Sequence, residues 1–305
     1  MSGRPVVAVM GPTASGKTRL VVALARALGG EVVNADSRQA IAELRVGTCK
    51  PGSQEQQGVP HHGFDWRHLG QPYSVAEYTA RAQPLIATLL EDGRAPLVVG
   101  GTGLYLRALL RGFDYGNTAP GPRAVPGEAE PRRDRLQIVR AQRELSRRGR
   151  LPASPAERAN PRRLVRALEL ARAGRAAHEH GSEWPSLRLV CVVEPETLRS
   201  RIAQRSQALV GPSLCREVDD LLQAGFAEVT LAAAAIGYAE VLAWRAGRCS
   251  QAEAVAGVRR RTWRYARAQM TWLRKEAGAI RIDASAPLER QLRDALRAGA
   301  GLETT

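Results

Sequence analysis

The chain has 305 residues, 44% of them hydrophobic, and a formal net charge of +15. That is enough for one α/β domain with an insertion, or two small domains, and it excludes wholesale disorder. There is no run of about 18 apolar residues and the first strand signal starts at Pro5, so neither a signal peptide nor a membrane span is expected.

Pro5 to Met10 is a short apolar β-type run. It leads into Gly11-Pro12-Thr13-Ala14-Ser15-Gly16-Lys17-Thr18, and an alanine- and leucine-rich helical pattern follows from Arg19 to Leu28. Strand, Gly-x-x-x-x-Gly-Lys-Thr and helix together are a phosphate-binding P-loop in its required context. Glycines let the backbone curl around phosphate oxygens, and the amides and helix N-terminus face the anion. Lys17 neutralises phosphate charge and the Thr18 hydroxyl is a ligand for Mg²⁺. Only three of the 45 basic residues are lysines (Lys17, Lys50 and Lys275), so a lysine at position 17 points to a role arginine does not fill.

Gly29-Gly30 ends that helix, and residues 31–35 read as a buried strand. Asp36 lies just past it, where an open parallel sheet binds its ligands. Its carboxylate is either a metal ligand or general base, or a cap for the next turn. His61 and His62 are adjacent, so they point apart, and no Cys or Glu completes a ligand spacing. Ser74-Val75-Ala76-Glu77 is a capping box opening a helix to about Asp92. Residues 95–99 form another buried strand, ending in Gly100-Gly101-Thr102-Gly103 and a helix to Leu110. This turn lacks the third glycine of a dinucleotide fingerprint and the acidic residue that holds Mg²⁺ in an NTPase.

Between 111 and 180, 16 basic residues stand against 8 acidic ones, more than half of the net excess. A Pro/Gly-rich stretch, a charged helix over 132–148 and a further loop look like an insertion over 112–161, with 1–111 and 162–305 as the core. Its charge suits a polyanion such as nucleic acid, or a solvated arginine-rich face. Amphipathic helix returns at 162–170, a core strand at 187–193, and helices at 196–209, 215–224, 238–246 and 251–275. Residues 280–282 suit a last strand, and the C-terminal tail gives no signal. The cysteines Cys49, Cys191, Cys215 and Cys249 form no C-x-x-C pair, which fits a reduced, cytoplasmic protein.

With these blocks in order, the chain resembles the tRNA dimethylallyltransferases. The matching pieces are the P-loop, Asp36-Ser37-x-Gln39, Gly47-Thr48-x-Lys50-Pro51, Pro60-His61-His62, Tyr73-Ser74-Val75-Ala76-Glu77-Tyr78, Val99-Gly100-Gly101-Thr102-Gly103-Leu104-Tyr105, Arg163-Leu164-Val165-Arg166, Ala235-Ile236-Gly237-Tyr238 and Gln269-x-Thr271-Trp272. They run from residue 6 to about 275. The resemblance implies a P-loop NTPase-like parallel sheet flanked by helices, with an inserted small helical domain. It implies transfer of a dimethylallyl group from dimethylallyl diphosphate, with Mg²⁺, to N6 of the adenosine 3′ of the anticodon. That base is flipped from the anticodon stem-loop of tRNA, which the inserted domain grips. A monomer is expected.

On the same resemblance, Asp36 takes the N6 proton, Thr13 touches the reacting end of the substrate, and Lys17 with residues Gly11 to Thr18 holds the diphosphate. Ser37, Arg38, Gln39, Thr102, Arg162, Arg163, Leu164, Val165 and Arg166 match positions that meet the tRNA. Arg133 matches a catalytic arginine, with Arg132 one place earlier. Arg201 and Arg205 close over the diphosphate. The departures are Arg38 in place of Met, Ala40-Ile41 in place of Val-Tyr, Glu157-Arg158-Ala159-Asn160-Pro161 in place of His-Pro-Asn-Asp-Pro, Ala268 in place of Arg, and a shortened insertion. The diphosphate half of the site is intact, while the RNA-facing half has drifted. The rival reading is a P-loop small-molecule kinase; it does not need the basic insertion, and the metal-binding Asp such an enzyme would use after Val99 is absent.

Overall fold

Val6, Ala8 and Met10 pack on one face of their strand and Val7 and Val9 on the other, and all five are buried. A strand covered on both faces belongs inside a parallel sheet with helices above and below. The computed structural model describes residues 4–114, 131–152, 155–172, 178–179, 181 and 184–300. Its elements run β1 (Val6–Met10), α1 (Lys17–Leu28), β2 (Gly30–Asn34), α2 (Ser53–Gln56), β3 (His61–His62), α3 (Val75–Glu91), β4 (Ala95–Gly100) and α4 (Gly103–Arg111). They continue as β5 (Phe113–Asp114), α5 (Pro131–Arg147), α6 (Pro155–Arg158), α7 (Pro161–Arg172) and β6 (His178–Glu179). The last group is β7 (Ser186–Val192), α8 (Pro195–Leu209), α9 (Pro212–Gln223), α10 (Glu228–Ala234), α11 (Tyr238–Arg245), α12 (Gln251–Leu273), β8 (Ile280–Asp283) and α13 (Leu288–Ala300).

The chain divides into two units, residues 1–110 with 182–305, and residues 111–181. The larger unit holds a six-stranded sheet in the order β3-β2-β4-β1-β7-β8. Every pairing in it is parallel, with Val9 opposite Val99 on β4 and Leu189 on β7. On one face Val7, Val9, Leu97 and Leu189 meet Leu20 and Leu24 of α1, Leu198 of α8 and Ala295 of α13. On the other, Ala8, Met10 and Val98 meet Tyr78 and Ile86 of α3 and Tyr105 and Leu106 of α4. Tyr78 and Tyr105 stack with ring centroids 4.2 Å apart. A third cluster joins Ile41, Leu44 and Leu69 to α9, α10, α11 and the start of α12.

The predicted strands and helices of this unit are present, with ends shifted by a few residues. Four elements carry no sequence expectation: the short α2 and β3, the seven-residue α10 and the amphipathic α13. His62 Nε2 lies 2.6 Å from Glu31, whose buried carboxylate also binds Arg94, and His61 Nδ1 faces the Val59 carbonyl at 2.8 Å. Adjacent in sequence, the two histidines serve separate contacts.

In the smaller unit, α5 packs on α7 through Ala141, Leu145, Leu164 and Ala171, and β5 pairs antiparallel with β6. The unit extends to residue 181 rather than 161. The helix at 161–172, assigned above to the core, belongs here because its apolar stripe is buried against α5.

Candidate active site

Three strand-to-helix turns meet at the carboxyl edge of the parallel sheet: the P-loop after β1, residues 36–39 after β2, and residues 100–102 after β4. The P-loop curls through left-handed Ala14 (φ 62°) and Gly16 (φ 87°). The Ser15 hydroxyl is buried and, among the described residues, has no hydrogen-bond partner. A buried hydroxyl left unpaired is costly, so the loop favours an oxygen-rich guest.

Lys17 donates from Nζ to the Pro12 carbonyl at 2.7 Å. Desolvation pulls its ammonium down to about 8; the Cys191 thiol and the Asp36 carboxylate oppose that shift and Arg205 adds to it. An ammonium held under that penalty gains strongly from a diphosphate. Arg201 donates to the Ser15 carbonyl (3.5 Å) and the Ala284 carbonyl (3.0 Å), while Arg205 Nε meets Cys49 Sγ at 3.2 Å. Both arginines of α8 thus come to the P-loop side of the site. A cavity of about 440 Å³ opens against the loop's flank, between Ala14, Gly16 and Arg19 and the turn at 284–288; Asp36 and Thr102 do not line it.

Asp36 is held from both sides. Its amide donates to Asn34 Oδ1 (3.0 Å), and its Oδ1 accepts the Arg38 amide (2.9 Å). Among the described residues Oδ2 has no hydrogen-bond partner. The carboxylate therefore caps a tight turn and keeps one oxygen for chemistry. Ser37 donates its amide to Thr102 Oγ1 at 3.1 Å, joining the second and third turns. Arg38 is exposed. Gln39 spends its Nε2 on the Thr48 and Cys49 carbonyls (3.2 and 2.9 Å).

The long helix α12 supplies two residues that motif reasoning gave no role. Gln269, 3% exposed, donates to the Gly101 carbonyl (3.0 Å) and accepts the Thr13 amide (2.8 Å). It fixes the P-loop against the β4–α4 turn. A Cβ on Gly101 would lie 2.1 Å from Gln269 Nε2, so this contact needs glycine. One helical turn earlier, Tyr265 brings its phenol near the Thr102 and Gln269 side chains, and the residue is 38% exposed. Desolvation and the nearby Asp36 charge raise its phenol above the ordinary range. The signal was available: Tyr265 and Gln269 are four apart and share a helix face.

Of the residues matched to RNA contacts in the smaller unit, Arg133, Arg162 and Arg163 sit on α5 and α7 with side chains outside the described residues. Leu164 is corrected: it is fully buried between α5 and α7, so its side chain meets no RNA. Val165 is 45% exposed, and Arg166 pairs with Glu169 at 2.9 Å. For a metal, the described residues offer no cluster of three His, Cys, Asp or Glu side chains. That donor set still fits Mg²⁺, which commonly takes one hydroxyl or carboxylate and completes its shell with substrate phosphate and water; Thr18 stands in the first turn of α1, next to Lys17. No helix among the described residues is long and apolar enough to cross a membrane.

A family model described as IPP transferase matches residues 39–276. The tRNA dimethylallyltransferase of Pelotomaculum thermopropionicum is 34% identical over 98% of this chain and 97% of its own length. That of Anaeromyxobacter dehalogenans is 40% identical over 91% of this chain and 94% of its own. Among solved structures, the full-length tRNA isopentenylpyrophosphate transferase of Bacillus halodurans superposes with a TM-score of 0.70 at 29% identity, covering 99% of this chain and 100% of that one. A eukaryotic dimethylallyltransferase acting on tRNA shares the fold with a TM-score of 0.73 at 21% identity, over 96% of this chain and 77% of its own.

Proposed function

The chain belongs to the IPP transferase family, and we propose that it transfers a dimethylallyl group from dimethylallyl diphosphate to N6 of the adenosine 3′ of the anticodon in tRNA. One observation supports the chemical assignment: the P-loop with Lys17, the Asp36 turn and the Thr102 turn lie at one carboxyl edge of the sheet, tied together by Ser37 on Thr102 and by Gln269 on Thr13 and Gly101. The N6 lone pair forms the new bond to C1 of the allyl group while the C1–O bond breaks, and the electron pair leaves with pyrophosphate. The N6 proton passes to Asp36 Oδ2, the oxygen not engaged by the Arg38 amide. Lys17, the Ser15 hydroxyl and the P-loop amides hold the leaving group as its charge grows. Mg²⁺, bound by the Thr18 hydroxyl and diphosphate oxygens, would add counter-charge there.

Thr13, fixed by Gln269, stands at the reacting end of the diphosphate. Ser37, Thr102 and Tyr265 form the acceptor side, where an adenine flipped from its loop can sit against an exposed aromatic ring. Arg133, Arg162, Arg163, Val165 and Arg166 are the residues proposed to meet the stem-loop, and the reaction is placed in the cytoplasm.

The test is incubation with labelled dimethylallyl diphosphate, Mg²⁺ and an anticodon stem-loop carrying that adenosine. Label in the RNA is expected. Phosphate transfer from ATP with no label in RNA would instead identify a kinase. Asp36→Ala should lower turnover by about 10²- to 10⁴-fold while RNA binding persists.

A further inference from the structure

Glu217 of α9 accepts four hydrogen bonds on one half-buried carboxylate. Oε2 takes the amides of Arg45 (2.8 Å) and Val46 (2.7 Å); Oε1 takes the amide of Gly47 (3.0 Å) and the Tyr238 hydroxyl (2.6 Å). Three consecutive backbone amides on one side chain fix a loop more firmly than any single contact can. Gly47 lies so close under Tyr238 that a Cβ there would sit 2.3 Å from the ring.

The segment held in this way reaches back to the site. The Thr48 and Cys49 carbonyls, next along the chain, receive Nε2 of Gln39. Gln39 belongs to the turn that starts at Asp36, closed by the Ala40 amide on the Asp36 carbonyl (3.2 Å). On the far side the Lys50 ammonium binds the Ile41 and Ala42 carbonyls and lies 2.6 Å from Asp65. Residues 36–50 therefore form a closed loop, tied internally by Gln39 and Lys50 and anchored outside by Glu217. Its apolar side chains Ile41 and Leu44 pack with α9 to α12, whereas Ala35 and Ala40 pack with the sheet.

We infer that Glu217 is a positioning residue for the transfer: it sets the backbone at 45–47 that seats Gln39, and through Gln39 the turn that aims Asp36 at the acceptor nitrogen. The inference rests on the assignment of Asp36 as the base. Glutamine at 217 keeps the size but turns one acceptor into an NH₂ donor, which in either orientation would face at least one backbone N–H and leave it unpaired.

The experiment measures label transfer to the stem-loop by the wild-type protein, Glu217→Gln, Gln39→Ala and the double variant, each with its thermal midpoint. Expected for Glu217→Gln is a kcat about 10- to 100-fold lower, a KM for dimethylallyl diphosphate within about threefold, and a midpoint within a few degrees of wild type. Adding Gln39→Ala should then cost less than about threefold more, because both changes break one path. Glu217→Asp, which withdraws the charge by one methylene, should show the same pattern at smaller size and replaces the Gln variant if that one unfolds. Unchanged kcat, fully multiplicative losses, or a collapsed midpoint with normal turnover per folded molecule would each overturn the inference. If the wild-type protein itself transfers no label, the activity reading fails instead, and the two failures are distinct.

Discussion

Lys17 is held in a state that its ligand relieves. Desolvation sets its ammonium at about 8 against an ordinary 10.5, and a bound diphosphate restores the charge. Above pH 8 the free lysine loses its proton while the complex keeps it, so binding takes up a proton. Affinity for inorganic pyrophosphate without metal should fall as pH rises from 8 towards 10, approaching about tenfold per unit, and Lys17→Met should flatten that slope. Calorimetry in buffers of different ionisation heat reads the proton directly. For the unliganded fold the sign is opposite: between 8 and 10.5 the unfolded chain holds more protons, so this group's contribution to stability rises with pH. At this scale Lys17, Thr13 and Thr102 were legible because glycine-rich turns mark strand ends, and Asp36 because it directly follows a buried apolar strand. Gln269 and Tyr265 show a shared helix face in the sequence, but not which turn that face meets, and Glu217 touches only the remote loop at 45–47 and Tyr238. Leu164 went wrong by position-for-position transfer, although Leu164, Leu168 and Ala171 already trace the inward stripe of a helix.

Among the elements, α12 does most to assemble the site. Its 23 residues span about 34 Å at about 1.5 Å each. Ala254 and Val258 sit in the helical cluster, Ala266 on one face of the sheet and Leu273 on the other. Gln269 stands where the helix crosses from face to face, holding Thr13 and Gly101 together. Gln269→Glu keeps the shape and puts an acceptor against the Gly101 carbonyl. It should cost about 1–3 kcal/mol in chemical denaturation and lower kcat at least about tenfold. A stability loss with unchanged kcat would reduce Gln269 to a structural part. The capping boxes at Ser74 and Ser250 close as their sequence spacing implies, each side chain accepting the amide three residues on. α10 escaped notice because seven alanine-rich residues behind Ala227 carry neither a side-chain cap nor two turns of period. α13 was legible, through Leu288, Leu292, Ala295 and Leu296, but its arginines make it resemble a charged tail.

For the whole molecule, the parallel sheet follows from alternating apolar runs and helices, while the boundary of the smaller unit does not. An amphipathic stripe says that a helix is covered, not by what. The smaller unit presents Arg140, Arg143 and Arg147 on exposed positions of α5. Replacing all three by glutamine should weaken stem-loop binding and reduce the slope of log K against log salt by about 0.7–0.9 for each phosphate no longer neutralised. An unchanged slope in a filter-binding titration would place the RNA grip elsewhere.

The scarcity of lysine has a consequence for chemical labelling. Apart from the chain's amino terminus, the protein carries three primary amines. Lys275 is exposed, the Lys50 side chain is 4% exposed against Asp65, and Lys17 has an ammonium near 8 inside the phosphate loop. An acylating reagent at mildly alkaline pH therefore meets one bystander, one shielded amine and one nucleophile at the centre of the site. Protection of that last amine by pyrophosphate turns a non-selective reagent into a one-residue gauge of occupancy.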